Sequence, residues 1–297
     1  MGRSIQDIVS KLLAMRLVDK RRLHLLPEQG HLRRLLAHLD VDCVFDVGAN
    51  TGQYAAMLRR KAAFKGRIVS FEPIPEAADE VRHNARGDSL WTVEQVALAD
   101  EGGTRTFNVM AGSEFSSLSA PRNDEVGRFS EMNRPVRSIM VSTETLDEAY
   151  PRLQAQYGFR RPFLKMDTQG FDLSVLRGAQ DCLSEFVGFQ SELSIRRIYE
   201  EAADFRDALT YYQSLGFDLS AFVPNNAGHF PALIEIDCIM VRRDLMQDTL
   251  RPAAGKIPPQ IVARAEPRTE GRGAAAASNA TSHRPPPRPT AHRGLTL

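Results

Sequence analysis

The run Cys43-Val44-Phe45-Asp46-Val47-Gly48-Ala49-Asn50-Thr51-Gly52 decides the fold of this chain. An apolar strand pattern ends in a glycine turn, and a helical pattern begins at Gln53. Glycine suits such a turn because, lacking a Cβ, it reaches φ > 0 at little cost and lets backbone approach a ligand closely. A helix starting there aims its unpaired N–H groups at an anion in the crevice. Strand, glycine turn and helix in that order are the opening unit of an α/β sheet that binds a nucleotide-like ligand.

The glycine spacing selects the ligand. A dinucleotide fingerprint needs glycine at the first, third and sixth positions, which here hold Gly48, Asn50 and Gln53. Glycine recurs at the fifth position instead, as Gly52, and Asp46 lies two residues before the first glycine. A carboxylate there attracts an ammonium and repels a pyrophosphate. The pattern therefore points away from NAD and toward the amino-acid end of S-adenosylmethionine, held by Asp46, Gly48, Asn50 and Gly52. The plainer alternative is an ordinary strand-to-helix turn in which Asp46 bonds its own loop.

A second strand, Gly66-Arg67-Ile68-Val69-Ser70-Phe71-Glu72-Pro73, ends on an acid before proline. Ligands of open α/β sheets bind outside the carboxyl ends of the strands, where an acid accepts both ribose hydroxyls. Glu72 is the ribose candidate, with a solvated strand end as its alternative. The segment Gln95–Leu98, through Gln95 and Ala97, is assigned to the adenine edge.

The motifs Phe45–Tyr54, Ser70-Phe71-Glu72-Pro73, Phe163-Leu164-Lys165-Met166-Asp167-Thr168-Gln169-Gly170-Phe171-Asp172 and Val175-Leu176-Arg177-Gly178-Ala179 together resemble the FkbM-type methyltransferases. They occur in that family's order, and the resemblance extends from about Val41 to Arg243. Val96–Asp100, Ser116-Ser117-Leu118, Thr145-Leu146-Asp147 and Asp237 support it. The resemblance implies a class I, S-adenosylmethionine-dependent fold and methylation of a hydroxyl on a sugar, polyketide or other secondary metabolite. Many members carry glutamates where this chain has Gln169 and Asp172.

Periodicity places strands near 42–47, 67–72, 91–97, 162–167, 186–192, 217–223 and 233–241. Helices are expected near 52–64, 75–86, 145–157, 172–182 and 200–215. Alternating strands and helices make an α/β fold with a mostly parallel, doubly wound sheet of about seven strands. The last two strands form an antiparallel terminal hairpin. Residues 1–40 read as an N-terminal helical extension, 41–245 as the methyltransferase domain and 246–297 as a tail. Asp100–Arg160 breaks the alternation and is assigned to substrate selection, with an extra hairpin on the sheet edge as the alternative.

Methyl transfer to an alcohol needs a group that takes the hydroxyl proton. Asp167, at the tip of the fourth main strand, is the first candidate base and also a cofactor contact. Its alternative role is to cap the next helix. Glu192, at the tip of the fifth strand, is the second candidate, and His229 on a late loop is the third. Lys165 alternates with Met166 and is expected to face away from the site. Tyr199 and Phe115 are candidates for stacking on a ring, or for apolar filling.

Composition narrows the class. The chain has 297 residues, 42% hydrophobic and 25% charged, enough for one sizeable core. Its net charge of +1 hides an asymmetry: Arg251–Leu297 holds eight Lys or Arg against two acids. The folded part is therefore acidic and lacks the basic stripe of a nucleic-acid binder. The tail, with Arg284-Pro285-Pro286-Pro287-Arg288-Pro289, is too poor in apolar residues to order itself. Cys43, Cys182 and Cys238 match no zinc spacing, so no metal is expected and a reducing cytoplasm suits them. No apolar run approaches the ~18 residues of a membrane span. The amphipathic start, with Ile5, Ile8, Val9, Leu12, Leu13 and Leu17 on one face, is read as packing on its own domain. A dimer contact or a membrane surface are its alternatives. The expected partner is a small-molecule or carbohydrate acceptor. N-methylation on the same fold, a non-catalytic cofactor-binding or interaction module, and a nicotinamide oxidoreductase are the competing functions.

Overall fold

The computed structural model describes residues 20–224 and 231–250. After a short turn of 3-10 helix come α1 (Leu26–His38), β1 (Cys43–Val47), α2 (Gln53–Arg60), β2 (Arg67–Phe71), α3 (Pro75–Asn84), β3 (Trp91–Glu94), β4 (Ala97–Leu98), β5 (Gly103–Met110) and β6 (Pro135–Glu144). Then follow α4 (Leu146–Tyr157), β7 (Pro162–Met166), α5 (Asp172–Arg177), β8 (Gly188–Ser194), α6 (Phe205–Ser214), β9 (Phe217–Val223), β10 (Glu235–Arg242) and α7 (Arg243–Leu250).

The main sheet has seven strands in the order β3-β2-β1-β7-β8-β10-β9. Strands β3, β2, β1, β7 and β8 pair in parallel, and β10 runs antiparallel to both β8 and β9. The expected α/β sheet and its antiparallel terminal pair are thus present. Strand order reverses between β1 and β7, and a crevice opens outside the carboxyl ends of the strands at such a switch point. Every residue of β1 and of β7 is buried, as central strands covered on both faces must be.

One core packs Phe45, Phe71, Leu164, Phe189 and Tyr212 on one face. The other gathers Val44, Leu58, Ile68 and Phe163 with Leu32, Leu36 and Leu39. Residues of α1 and of the turn after it therefore share a core with β1 and belong to the folded unit. The expected face from Ile5 to Leu17 and the tail from residue 251 lie outside the described residues, as does His229, while residues 246–250, expected as tail, continue the last helix. Helix α4 begins with a capping box: Thr145 Oγ1 accepts from the Glu148 N–H and the Glu148 carboxylate accepts from the Thr145 N–H. Such reciprocal satisfaction of two end donors fixes where the helix starts.

Two expectations change here. The strand placed at 91–97 breaks at Gln95 and Val96, so Ala97–Leu98 joins a second sheet, ordered β4-β6-β5. Within the segment Asp100–Arg160, Gly103–Met110 and Pro135–Glu144 form the antiparallel pair β5 and β6 of that sheet. The small sheet packs through Ala97, Phe107 and Val141 against Ile74. Residues Met110, Phe115, Val126 and Phe129 pack against Ile198, Tyr199 and Ala202.

Candidate functional site

A cleft of about 560 Å³ opens at the carboxyl edge of the main sheet, within the range of small-molecule and cofactor sites. Its first half is the glycine loop. Gly48 (φ +74°), Asn50 (φ +47°) and Gly52 (φ +84°) all take left-handed backbone conformations. A Cβ at Gly48 would collide with the Asp167 carbonyl, so the loop lies directly on the end of β7. A Cβ at Gly52 would press on the Trp91 ring, so this glycine serves packing and does not face the cleft.

Glu72 borders the cleft with its carboxylate held by two backbone donors. Asn50 N–H donates to Oε2 at 2.8 Å and Ile74 N–H to Oε1 at 2.9 Å. Burial raises its pKa to about 7, more than these bonds lower it. Val96, Ala97 and Leu98 form an apolar wall beside it. Gln95 does not join them: it is exposed, and its Oε1 accepts from Arg82 at 3.0 Å. The bend that detaches β4 from β3 turns it outward.

The backbone donors of the loop itself, ahead of the helix, are engaged. Gly48 and Ala49 donate to the Phe71 carbonyl, Asn50 to Glu72, Thr51 to Gln53 Oε1 and Gly52 to the Ala49 carbonyl. The loop presents its atoms to the cleft as a shape whose donors are already engaged.

Asp46 is also placed differently. It is 0% exposed and lies beneath the cleft, in a polar row across the sheet. Trp91 Nε1–H donates to Ser70 Oγ at 3.0 Å, Ser70 donates to Asp46 Oδ2 at 3.3 Å, and Lys165 Nζ sits 3.3 Å from Asp46 Oδ1. The register explains the row, since Asp46 pairs with Ser70 on one side and Lys165 on the other. Lys165 thus faces the cleft and not away from it, donating to the Gly48 carbonyl at 3.3 Å and lying 3.6 Å from Asp167 Oδ2. Burial works against its charge, and Asp46 with Asp167 outweighs it, so the Lys165 pKa is raised. Asp46 is raised by its own burial, with Lys165 opposing.

The second half of the cleft is rich in carboxylates. Gln169 Nε2 donates to Asp167 Oδ1 at 2.7 Å and to Glu192 Oε2 at 3.0 Å, while its Oε1 accepts from Tyr199 Oη at 2.7 Å. Gln190 repeats the arrangement: Nε2 donates to Glu28 Oε1 and Asp237 Oδ2, both at 2.8 Å, and Oε1 accepts from Tyr54 Oη at 3.0 Å. A carboxamide has two donors and an acceptor, so each glutamine satisfies two acids and a phenol at once. Glu235, at the start of β10, also lines this half. Burial raises Glu192, with Glu235 and Asp167 adding to it. It raises Asp237 too, with Glu28 next, and Glu28 itself.

Asp167 is not a helix cap. Asp172 closes that turn, accepting from Thr168 N–H at 3.0 Å and from Ser191 Oγ at 2.7 Å. Asp167 keeps 43% of its side chain exposed. Gln169 stands in a left-handed conformation (φ +56°), followed by Gly170 (φ +85°), a strained turn of the kind that collects at functional sites. Tyr199 is fully buried beneath Gln169 and is unavailable for stacking, whereas Phe115 packs on Phe129 at the cleft wall. The cleft thus gathers Gly48, Asn50, Glu72, Ala97, Asp167 and Glu192, and leaves out Asp46, Gly52 and Gln95. Sequence reasoning missed Glu28, Tyr54, Lys165, Gln190 and Glu235. The polar run Gln190-Ser191-Glu192 and the alternation of Glu235 and Asp237 with isoleucine carried a signal, because polar side chains two apart on a buried strand share a face.

This strand order, with one antiparallel strand and a cleft at the carboxyl edge beside a glycine loop, is that of the class I methyltransferase fold. Residues 46–219 match the family described as the methyltransferase FkbM domain, and the chain belongs to that family. Among solved structures it is similar to magnesium protoporphyrin IX methyltransferase (ChlM) from Synechocystis PCC 6803 with bound SAH, at 10% identity, covering 80% of this chain and 93% of that one, TM-score 0.42. It is similar to cofactor-bound Rv0187 from MTB at 14% identity, with 82% and 99% covered and TM-score 0.42. A SAM-dependent methyltransferase from Leishmania major is similar at 11% identity, with 79% and 77% covered and TM-score 0.41. No curated protein sequence matches the chain. Among the described residues no helix is long and apolar enough to cross a membrane, and no three His, Cys, Asp or Glu side chains gather as a metal site.

Proposed function

We propose that this protein is an S-adenosylmethionine-dependent O-methyltransferase acting on a hydroxyl of a sugar, glycolipid or secondary metabolite. The observation that carries the reading is the convergence of the Gly48 turn, the Glu72 carboxylate and the Asp167 tip on one cleft. The residues fit the donor. Gly48 leaves no room for a Cβ where the loop meets β7, the Glu72 oxygens each retain a lone pair beyond their backbone bond, and Ala97 heads an apolar slot. Glu72 would accept from the ribose hydroxyls, the Gly48–Asn50 backbone would lie along the methionine portion, and Ala97 with Leu98 would cover the adenine. Bound there, S-adenosylmethionine would supply a methyl group already activated on a sulfonium.

Asp167 takes the acceptor's proton. Its Oδ1 is fixed by Gln169, and its Oδ2, 3.6 Å from Lys165 Nζ, is the oxygen that would meet the hydroxyl. Removing that proton is worth on the order of 10²–10⁴-fold in rate. Glu192 is the second candidate, held by the same glutamine amide.

Calorimetric titration of S-adenosylmethionine and S-adenosylhomocysteine into the full chain tests the donor, and labelled-methyl transfer to a hydroxylated acceptor panel tests the chemistry. Micromolar binding is expected, with Asp167→Asn lowering kcat by at least about 10²-fold. If neither compound binds the folded protein, the reading falls. If Asp167→Asn keeps most of the activity, N-methylation replaces it.

A further inference from the structure

Five carboxylates, Glu28, Asp167, Glu192, Glu235 and Asp237, border one half of the cleft, and Lys165 is the single basic side chain lining it among the described residues. Lys165 is already engaged by Asp46, with Asp167 beside it. Four of the acids have partners of their own: Gln169 serves Asp167 and Glu192, and Gln190 serves Glu28 and Asp237. Glu235 differs. It is only 8% exposed, lines the cleft, and its Oε1 is buried with no hydrogen-bond partner. An unsatisfied buried carboxylate oxygen costs stability unless a ligand satisfies it.

We infer that this half of the cleft is an ammonium subsite. Glu235, with Glu192 and Asp237 beside it, pairs with a protonated amino group on the acceptor, as in an amino sugar or another amino alcohol. This rests on the methyltransferase reading only for the word acceptor; the subsite itself stands on the geometry.

Three features select an organic ammonium. The half-cleft holds five acids against one lysine that is already engaged, and a neutral polyol brings none of the compensating charge that would let the buried ones ionise. An ammonium offers three donors, which suits carboxylates spread over two strands: in the β8–β10 register Glu192 stands opposite Asp237, with Glu235 two residues further along β10. A divalent metal needs its ligands to converge, and among the described residues no such grouping occurs. Burial and the neighbouring Asp167 raise the Glu235 carboxyl, and a cation offsets both effects. The anchored ammonium has no lone pair, so it positions the acceptor and is not the atom methylated. The hydroxyl of the same molecule is then free to meet Asp167.

The test uses matched probes on the full chain, with and without S-adenosylhomocysteine: D-glucosamine against D-glucose, and 2-aminocyclohexanol against cyclohexane-1,2-diol, followed by ligand-observed NMR titration. Each amine should bind at least about tenfold tighter than its neutral partner, and Glu235→Gln should erase the preference. Equal binding within both pairs, or no binding of either amine, overturns the subsite. Preference for the amine in wild type that survives in Glu235→Gln also overturns the assignment to Glu235. An amine preference without any S-adenosylhomocysteine binding upholds the subsite while the methyltransferase reading falls.

Discussion

The glycine-loop half of the cleft is written in one continuous stretch, Gly48 to Leu98, whereas the carboxylate half draws on α1, α2, β7, β8 and β10. The first half works by shape, with engaged backbone donors, left-handed glycines and one fixed acid, Glu72. The second works by charge, with acids shared out between two glutamines. The halves meet at Lys165, which touches the Gly48 carbonyl on one side and Asp167 on the other. The first half is set by a local motif, the second by residues that the fold brings together from distant parts of the chain.

The seam offers the strongest way to break this picture. Lys165→Met leaves the fully buried Asp46 without its counter-charge, and removing one partner of a buried pair costs about 3–5 kcal/mol. Urea denaturation should register that loss, and Asp46→Asn added to it should recover most of the stability. A cost below about 1 kcal/mol would show that the row beneath the cleft is not held by charge.

Glu72 sharpens the comparison from the first half. Its folded pKa of about 7 stands above the ordinary 4.5, chiefly through burial. It therefore holds its proton in the folded protein where the unfolded chain has lost it, and its contribution to stability is full below pH 4.5 and lost as pH rises through 7. Donor binding has the opposite slope, because the ionised carboxylate is the better acceptor for ribose hydroxyls. S-adenosylhomocysteine affinity should rise about tenfold between pH 6 and pH 8 and stay flat in Glu72→Gln. Equal slopes in the two proteins would take Glu72 out of the ribose site.

Gln95 gives the smallest effect. Exposed and bonded to Arg82, it should tolerate Gln95→Ala with less than about 0.5 kcal/mol change in stability and unaltered donor affinity. A loss of affinity would return the side chain to the adenine edge.

The sheet, its terminal antiparallel strands and the Gly48 and Glu72 positions were legible because each rests on a local signal: hydropathic period, glycine spacing, an acid at a strand tip. Asp46 and Lys165 were misassigned for one reason. On a strand covered on both faces hydropathy does not tell which way a side chain points, and only the register sets Asp46 against Lys165. Glu28 and Gln190 were invisible for another, being 162 residues apart in sequence yet 2.8 Å apart in the fold. That Gln169 would bridge two acids depends on where β8 places Glu192.

Strand β10 arrives late in the chain and slots between β8 and β9. A nascent polypeptide extended as far as Ser194 already carries Gly48, Glu72, Leu98, Lys165 and Asp167, yet it lacks Glu235 and Asp237. Domains fold as units, and contacts between distant residues are the slowest to form. The carboxylate wall thus depends on a strand that joins the sheet from far along the chain, and a polypeptide ending before Glu235 carries the glycine loop and Glu72 without it.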